Sequence, residues 1–363
     1  MKILSIGGAT YDIFLTTGCL QTTTINQDCF VLLQEGRKID VESIRYCSGG
    51  GATNSATLFA RLGFQAHAIF KIGDDCAGAF IQEQLRKEGV VLHHAVAHGS
   101  ATGCSVIMPC PSGDRTVLVY RGVNLLLNQQ DISLDLLAQQ DQIYISSLTG
   151  QSAALLGYVA TQAKQRGIPV AVNPGSHQLQ KNVRSLYDAL PAIDILILNS
   201  YEMQLCMQAI MKIDYGLCDQ LQKRKPPNGP GTMPALLTKL FTHNDMSFNL
   251  YDFFAAIHAR GVKIIAVTDG ACGVYAASAG TVLFHPSLSV PVLNTVGAGD
   301  AFASCFVAQL ARGQSIEYAM RAGIINSASV IQCSDAKEGL LDQAGIDAKM
   351  AELNQALLQR FEG

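Results

Sequence analysis

The sequence predicts an α/β protein built around a mainly parallel sheet. Two observations favour this class: short β-type runs alternate with helical stretches over most of the chain, and several of the helical stretches end at a glycine. Of the 363 residues, 48% are apolar and 15% are charged, so the chain can bury a large core and disorder is not expected.

The predicted elements follow one another in alternating order. We predict strands over Lys2–Ile6, Ala66–Ile72, Gln142–Ser146, Pro169–Asn173, Ile193–Asn199, Lys263–Thr268 and Gly273–Ala277. We predict helices over Thr53–Leu62, Cys76–Glu88, Ser152–Arg166 and Phe253–Arg260. Each helix is followed by a glycine that can adopt the left-handed conformation, namely Gly63, Gly89, Gly167 and Gly261.

Two segments interrupt the alternation and predict a separate small sheet. Residues 13–47 and 101–123 contain strand and turn patterns without an intervening helix. In the second segment, Cys104–Met108 and Thr116–Tyr120 flank Pro109–Arg115, which contains the turn sequence Pro-Ser-Gly-Asp. We therefore predict a hairpin there.

The same two segments define the predicted domain organisation. We assign residues 13–47 and 101–123 to a β lid at the edge of the main sheet, and residues 1–12, 48–100 and 124–363 to the α/β core. Lids of this kind close over a substrate and exclude water. Because the exposed edges of such sheets often pair between subunits, we expect a homodimer through the lid.

Residues 211–252 form a third departure from the pattern. Lys223–Gly231 is a basic segment rich in proline and glycine, and a helical run over Pro234–Phe241 follows it. We interpret the region as an exposed excursion from the core.

Charge and cysteine content exclude several classes of protein. The net charge is −3 and there is no long basic run, so no nucleic-acid partner is expected. Eleven cysteines are scattered without CxxC pairs, which favours a reducing compartment. The first eight residues lack the pattern of a signal sequence, and no apolar run of about 18 residues predicts a membrane span. We expect a cytoplasmic protein without a membrane partner.

The segment Asn294–Asp300, with the sequence Asn-Thr-Val-Gly-Ala-Gly-Asp, carries the strongest chemical signal. It opens an apolar helical run, and the unpaired N–H groups of a helix start bind anionic oxygens. Asp300 would lie beside those groups and could take a proton from an attacking hydroxyl. An anion site next to a base is what phosphoryl transfer requires. Alone, the segment could also be an ordinary helix start.

A second glycine cluster, Gly49–Gly51, precedes the first predicted helix. Glycines let a ligand or another backbone approach closely. Asn54 would project from the first helical turn with a donor and an acceptor for a polyhydroxylated ligand. The alternative is a flexible loop in which Asn54 caps the helix.

Asp12 follows the first strand at the end of the segment Gly7–Asp12. That segment lacks GxGxxG, so it does not favour dinucleotide binding. Near the end of a strand in an α/β sheet, the Asp12 carboxylate could accept hydrogen bonds from substrate hydroxyls. The alternative is a turn residue.

Two further segments lie at strand ends. Asn199 and Glu202 fall on one face of a helical turn and could hold a hydrated Mg²⁺ near phosphates, or could simply cap the helix. Thr268, Gly270 and Gly273 could hold a nucleotide phosphate, or could form a β-turn between two strands.

Together, these four segments resemble the PfkB, or ribokinase-like, carbohydrate kinase family. The resemblance rests on Gly49–Ala56 with Gly63 and Gly73 at the family's spacing, and on Asn294–Asp300. It also rests on the Asn-x-x-Glu and Thr-x-Gly-x-x-Gly motifs just described. Together the four motifs are distributed over nearly the whole chain. The family implies a three-layer α/β/α core with a small β lid.

The resemblance also implies an activity and a set of roles. The γ-phosphate of ATP would be transferred to a hydroxyl, commonly a hydroxymethyl group, with Asp300 as catalytic base. The amides of Gly297, Ala298 and Gly299 would form the anion hole. The sugar-like substrate would be bound by Asp12, Gly50, Gly51 and Asn54. The ATP and Mg²⁺ region would be lined by Asn199, Glu202 (the metal residue), Thr268, Gly270 and Gly273, and Asn326 would lie near adenine.

Asn294 departs from the family, because many relatives have aspartate at this position near a monovalent-cation site. Asparagine offers an oxygen but no charge, so the sequence leaves K⁺ activation open. The identity of the substrate also stays open. A sugar or sugar derivative leads, a nucleoside such as adenosine is the alternative, and a catalytically silent regulator or a nicotinamide oxidoreductase is less favoured.

Overall fold

The computed structural model describes residues 1–18, 20–26, 28–110, 115–214, 216–217, 233–243, 246–278, 280–353 and 357–362. The strands are β1 Lys2–Ile6, β2 Thr10–Thr16, β3 Gln21–Ile25, β4 Asp28–Leu32, β5 Ser43–Gly49, β6 Gln65–Ile69, β7 Lys71–Gly73, β8 Val91–Leu92, β9 Ala95–Ala97, β10 Gly103–Pro109, β11 Arg115–Tyr120, β12 Gln142–Ile145, β13 Val170–Val172, β14 Ile195–Asn199, β15 Phe241–His243, β16 Met246–Phe248, β17 Ile264–Thr268, β18 Val274–Ser278, β19 Thr281–His285 and β20 Gln359–Glu362. The α-helices are α1 Gly51–Arg61, α2 Cys76–Lys87, α3 Leu134–Ala138, α4 Leu155–Lys164, α5 Ser176–Lys181, α6 Val183–Ala189, α7 Ser200–Met211, α8 Ala235–Thr238, α9 Leu250–His258, α10 Ala298–Ala311, α11 Ile316–Val330 and α12 Gln343–Glu352.

A ten-stranded mixed sheet forms the centre of the fold, in the order β20-β19-β18-β17-β14-β13-β12-β1-β6-β8. From β17 to β8 all neighbours are parallel, as the alternation of strands and helices predicts. β18, β19 and β20 extend the sheet in antiparallel pairs. The links from β17 to β18 and from β18 to β19 are too short for the crossover that parallel pairing needs.

Apolar side chains fill both faces of this sheet. Along β1, Leu4 and Ile6 pack on one face and Ile3 on the other, because successive side chains of a strand alternate. Helices α4, α6, α7 and α9 cover the first face, and α1, α2, α10, α11 and α12 cover the second. The fold therefore has three layers, with the sheet between two layers of helices.

A separate four-stranded sheet has the order β11-β10-β2-β5. β10 and β11 form the predicted hairpin, with Cys104 opposite Tyr120 and Pro109 opposite Arg115. Its turn, residues 111–114, lies outside the described residues. β2 leads directly from β1 into this sheet, so the small sheet stands beside the carboxyl end of the large one. The division of the chain into core and lid remains a prediction.

Two sequence-based boundaries are wrong, and each has a structural reason. The run predicted as one strand over Ala66–Ile72 divides after Ile69, because β7 leaves the large sheet to pair with β9. The helical run over Pro234–Phe241 is helical only in α8, because Phe241 begins a hairpin in which its ring stacks on Phe248 at 5.3 Å between centroids. The basic segment Lys223–Gly231 lies outside the described residues.

In the part of the chain that the structure describes, no helix is long and apolar enough to cross a membrane. The cytoplasmic location remains a prediction.

Packing of α10 against α11 predicts a specific cost for a methyl group at Gly323. A Cβ there would lie 2.7 Å from a ring carbon of Phe302 and 3.1 Å from its carbonyl oxygen. We expect Gly323→Ala to lower the free energy of unfolding by about 1–3 kcal/mol through overpacking, partly offset by the better helix propensity of alanine. Urea unfolding monitored by circular dichroism measures this change.

Gly157 in α4 is the matched control. A Cβ at that position would meet nothing closer than 3.7 Å, the hydroxyl oxygen of Ser185. Gly157→Ala should therefore be neutral or stabilising by up to about 1 kcal/mol. Equal stabilities of the two variants would show that helix packing does not fix Gly323.

Candidate active site

A cleft of about 400 Å³ opens at the carboxyl ends of β14 and β17, beside the first turn of α10. In open α/β sheets this is the edge at which ligands bind. Seven of the sequence-predicted site residues line it: Gly51, Asn199, Glu202, Thr268, Gly297, Gly299 and Asp300.

The turn before α10 takes its shape from Gly297. This residue has φ of +80°, and a Cβ would lie 2.4 Å from the Cβ of Ala336, so a side chain is excluded on two counts. The helix begins at Ala298, whose amide makes one long hydrogen bond of 3.4 Å to the carbonyl of Thr295, and Gly297 and Gly299 on either side of it line the cleft. A Cβ at Gly299 would meet no atom within 4 Å, so open space lies above this turn. The first turn of α10 therefore offers a site for an anion.

Asp300 connects the two glycine segments. The side-chain amide of Asn54 donates a hydrogen bond of 2.8 Å to Asp300 Oδ2, and this joins the first turn of α1 to the first turn of α10. Burial raises the pKa of Asp300, whereas the bond from Asn54 and the positive charge of Lys337 lower it. Burial has the largest effect, so the pKa of Asp300 stays above its usual value, and a carboxylate with a raised pKa is a stronger base.

Two buried acceptors in the site have no donor among the described residues. They are Asp12 Oδ1 and Asn54 Oδ1, in side chains that are 7% and 6% exposed. A buried acceptor without a donor costs free energy, so both oxygens are suited to a ligand that carries hydroxyl groups. Burial raises the pKa of Asp12, while hydrogen bonds from Thr10 and Ser105 oppose the shift.

The glycines of the first segment are required by close packing. A Cβ at Gly49 would lie 1.8 Å from Asp12 Oδ2, and a Cβ at Gly51 would lie 2.5 Å from Ser146 Oγ. Gly50 has φ of +96°, and its Cβ would lie 2.5 Å from the carbonyl oxygen of the residue opposite, Gly8. The segment therefore packs tightly against β1, β2 and β12 rather than forming a flexible loop.

Asn199 and Glu202 cap α7 and also line the cleft. Asn199 Oδ1 accepts from the amide of Glu202 at 2.8 Å, and Glu202 Oε2 accepts from the amide of Asn199 at 3.0 Å. Burial and the neighbouring Asp300 raise the pKa of Glu202 to about 7. No group of three or more potential metal ligands occurs among the described residues. The partly buried Glu202 carboxylate nevertheless suits a Mg²⁺ ion that keeps most of its ligands from water and phosphate.

Thr268 borders the cleft, and the chain after it turns sharply. Gly270 and Gly273 have φ of +53° and +130°, and a Cβ at Gly273 would lie 2.4 Å from the carbonyl oxygen of His285. The amide of Asp269 donates to the carbonyl of Gly273 at 2.8 Å. These glycines thus form the tight connection from β17 to β18, and their contact with a nucleotide stays a prediction.

Asn326 has a structural place in the fold. Its side chain is fully buried, donates 3.1 Å to the carbonyl of Ala301 and accepts 2.9 Å from the amide of Leu341. Both ends of the amide are therefore occupied, and the structure does not bring Asn326 to the cleft. The predicted adenine contact remains untested.

Several residues that line the cleft were missed by the sequence analysis. Arg115 reaches it from β11 and donates a hydrogen bond to the hydroxyl of Thr295. No pattern in the sequence indicates that contact, because it depends on how the small sheet sits against α10. Pro174 and Gly175 follow β13, and their place after a strand end could have indicated them.

Comparisons with known proteins agree on one family. The family model described as pfkB family carbohydrate kinase matches residues 19–223 and 241–343. An ATP-dependent ribose-1-phosphate kinase from Halopiger xanaduensis is 24% identical over 332 residues, which cover 90% of this chain and 92% of that protein.

Solved structures show the same fold. Arabidopsis thaliana ribokinase complexed with ribose and ATP has a TM-score of 0.70 at 20% identity, covering 97% of this chain and 99% of the other. The nucleoside kinase of Methanocaldococcus jannaschii, an archaeal member of the ribokinase family, has a TM-score of 0.70 at 14% identity and covers 97% and 98%. The predicted ribokinase-like fold and family are thereby confirmed. The chain belongs to the pfkB family of carbohydrate kinases and is a phosphotransferase that uses ATP.

Proposed function

We propose that this protein transfers the γ-phosphate of ATP to a hydroxyl group of a sugar or sugar derivative, with Asp300 as the catalytic base. The observation that carries the proposal is the placement of Asp300. Its carboxylate lies at the first turn of α10, beside the anion site and hydrogen-bonded to Asn54. A base, an anion site and a polar ligand pocket thus meet in one cleft.

The substrate is held by the unpaired acceptors on the other side of Asp300. Its hydroxyl groups donate to Asp12 Oδ1 and Asn54 Oδ1, which find no donor among the described residues. These contacts direct the reacting hydroxyl toward Asp300. The main-chain atoms of Gly50 and Gly51 form the neighbouring wall.

In the reaction, the substrate oxygen forms a bond to the γ-phosphorus while the bond from that phosphorus to the ADP oxygen breaks. The hydroxyl proton passes to a carboxylate oxygen of Asp300. N–H groups of Gly297, Ala298 and Gly299 donate to the non-bridging oxygens, where negative charge must be stabilised. The left-handed turn at Gly297 fixes these donors before the substrate arrives.

The nucleotide lies on the side of β14 and β17. Thr268, Gly270 and Gly273 would border its phosphates, and Asn199 and Glu202 would hold a hydrated Mg²⁺. A bound Mg²⁺ neutralises phosphate charge. The role of Asn326 near adenine is retained from the family resemblance and is the contact that the geometry supports least.

Asp300→Asn tests the base directly. The variant keeps the size of the side chain but cannot accept the proton, so we expect turnover to fall by about 10²–10⁴-fold or more. The fold and ATP binding should be retained, as measured by circular dichroism and nucleotide titration. ADP release with a panel of sugars and nucleosides gives the rate and the preferred acceptor class. Turnover close to that of the unmodified protein would refute the assignment.

The surroundings of Asn294 do not fit a monovalent cation. Asn294 Oδ1 accepts from the amide of Val296 at 2.9 Å, and Nδ2 donates to the carbonyl of Ser334 at 3.0 Å. The side chain therefore joins the turn before α10 to the segment after α11 by hydrogen bonds. An N–H group cannot coordinate a cation, so we propose that this position needs none.

This proposal predicts that turnover is the same in K⁺, in Na⁺ and in a bulky organic cation at equal ionic strength. The matched variant is Asn294→Asp, which loses the donor to the carbonyl of Ser334 and places two oxygen-bearing groups face to face. We expect its turnover to depend on K⁺. Strong K⁺ activation of the unmodified protein would contradict the proposal.

We also propose that a second copy of the chain covers the small sheet. Its edge strand β11 exposes Leu118 and Tyr120, each 57% exposed, and the opposite edge strand β5 exposes Ile44 and Tyr46. An edge strand with unpaired backbone groups and apolar side chains is a site for association between chains.

Leu118→Glu should therefore convert the protein from dimer to monomer, as measured by analytical ultracentrifugation over a concentration series. Leu240→Glu is the control, because Leu240 is similarly exposed at 60% but lies outside the small sheet. A monomeric unmodified protein, or dissociation by the control alone, would reject the lid interface.

A further inference from the structure

The side chain of Lys337 reaches from the segment after α11 to the first glycine segment. Its ammonium donates 2.6 Å to Ser48 Oγ and 3.1 Å to Thr53 Oγ1. Thr53 Oγ1 in turn donates to the carbonyl of Gly49 at 2.7 Å. Lys337 thus binds both ends of the segment that carries Asn54, although it lies 289 residues from Ser48 in the sequence.

The backbone of Lys337 is fixed on both sides. Its amide donates 2.8 Å to Asp335 Oδ1, and its carbonyl accepts 2.6 Å from Arg61. Arg61 is itself held by an ion pair with Glu88. The ammonium is therefore placed by the fold and does not depend on the flexibility of a surface side chain.

The positive charge of Lys337 is not used in an ion pair between described residues. Its hydrogen-bond partners are neutral hydroxyl groups, so the charge acts on carboxylates farther away. It lowers the pKa of two buried carboxyl groups, that of Asp12 on β2 and that of Asp300 on α10. Both are groups whose pKa burial raises.

Other titratable groups surround the same region. Asp335 faces Lys337 from its own segment, Glu88 from the end of α2 and Cys47 from β5. Arg61 faces it from α1. Glu202 on α7 and Tyr144 on β12 face Asp300, and Cys104 on β10 faces Asp12. Burial lowers the pKa of Lys337 to about 8, against the opposing effect of the carboxylates, so the ammonium persists at neutral pH.

We propose that Lys337 is a positioning residue of the phosphoryl transfer, which fixes the Ser48–Asn54 segment by hydrogen bonds and supplies the positive charge that faces Asp12 and Asp300. The proposal rests on the proposed function, because it needs Asp300 to act as base. It assigns Lys337 no contact with substrate or phosphate. Its effect reaches the reaction through the two carboxylates and through the position of Asn54.

The test is the pH dependence of kcat/KM for the preferred acceptor. Removing the charge raises the pKa of Asp300 and Asp12, so the active carboxylate forms need a higher pH and activity is lost from the acid side. For Lys337→Met we expect the acid midpoint to rise by about one pH unit, which is about a tenfold loss well below the midpoint. At high pH the kcat/KM of the variant should approach that of the unmodified protein. Any difference that remains there is the loss caused by the altered position of the Ser48–Asn54 segment.

Three companion variants separate charge from structure. Lys337→Arg keeps the charge and should keep the acid midpoint even if its overall rate falls. Lys337→Gln keeps a donor without the charge and should shift the midpoint as Lys337→Met does, and it replaces that variant if methionine prevents folding. Lys263→Met removes a lysine at the opposite end of β17, paired with Asp194 on the surface, and should leave the profile unchanged.

The outcomes distinguish this proposal from the proposed function. If Asp300→Asn is inactive but the charge-removing variants keep the acid midpoint of the unmodified protein, the role of Lys337 is wrong and the base assignment stands. A loss of rate that is equal at every pH, or a shift in Lys337→Arg equal to that in Lys337→Met, also rejects the role. Turnover by Asp300→Asn close to that of the unmodified protein would overturn the proposed function and this role with it.

Discussion

The hydrogen bond from Asn54 to Asp300 is the contact on which the site depends. It joins the amino-terminal turns of α1 and α10, which lie 246 residues apart in the sequence. Both helices pack on the same face of the large sheet and begin at its carboxyl edge. This arrangement places the first turn of α10, the proposed base Asp300 and the unpaired acceptor of Asn54 around one point. Separating the two turns would move the proposed base away from that acceptor.

Tight packing at that point explains why glycine recurs there. Gly49, Gly50 and Gly51 leave no room for a Cβ against β1, β2 and β12, and Gly297 leaves none against Ala336. Gly299 differs, because a methyl group there would enter open space. Glycines of the first kind hold the turns together, and Gly299 keeps the approach to the amides free. The sequence alone cannot distinguish a glycine required by close packing from one that faces open space, because both occur in a glycine cluster before a helix.

The sequence was sufficient for the fold class and for the residues that stand at strand ends or helix starts. Asp300 is predicted from its place at a helix start, and Asn199, Glu202 and Thr268 from segments at strand ends, and all four line the cleft. Residues that reach the site from elsewhere gave no signal. Arg115 contacts Thr295 from the small sheet, and Lys337 contacts Ser48 from the far end of the chain.

Asn326 has a structural role that the family resemblance does not indicate. The resemblance implies a contact with adenine, which stays a prediction, whereas in the structure the side-chain amide joins α10 to the segment after α11. A sequence motif indicates that a residue type is needed at a position. The hydrogen-bond partners in the structure indicate which role that residue has. The same criterion supports Asn54 and Asp12, because each has an acceptor that the described protein leaves unpaired.

Charge balance links the two sides of the cleft. Asp12, Asp300 and Glu202 are carboxylates whose pKa burial raises, and Asp300 raises the pKa of the other two further. Lys337 opposes this on the substrate side, where its charge favours ionised Asp12 and Asp300. On the nucleotide side, Glu202 retains a pKa of about 7, so the side on which Mg²⁺ would bind is left without equivalent compensation. A protein that neutralised Glu202 with its own cation would compete with the metal. No cation is among the main causes that shift the pKa of Glu202, which suits the proposal that Asp300 acts as the base and that Glu202 binds Mg²⁺.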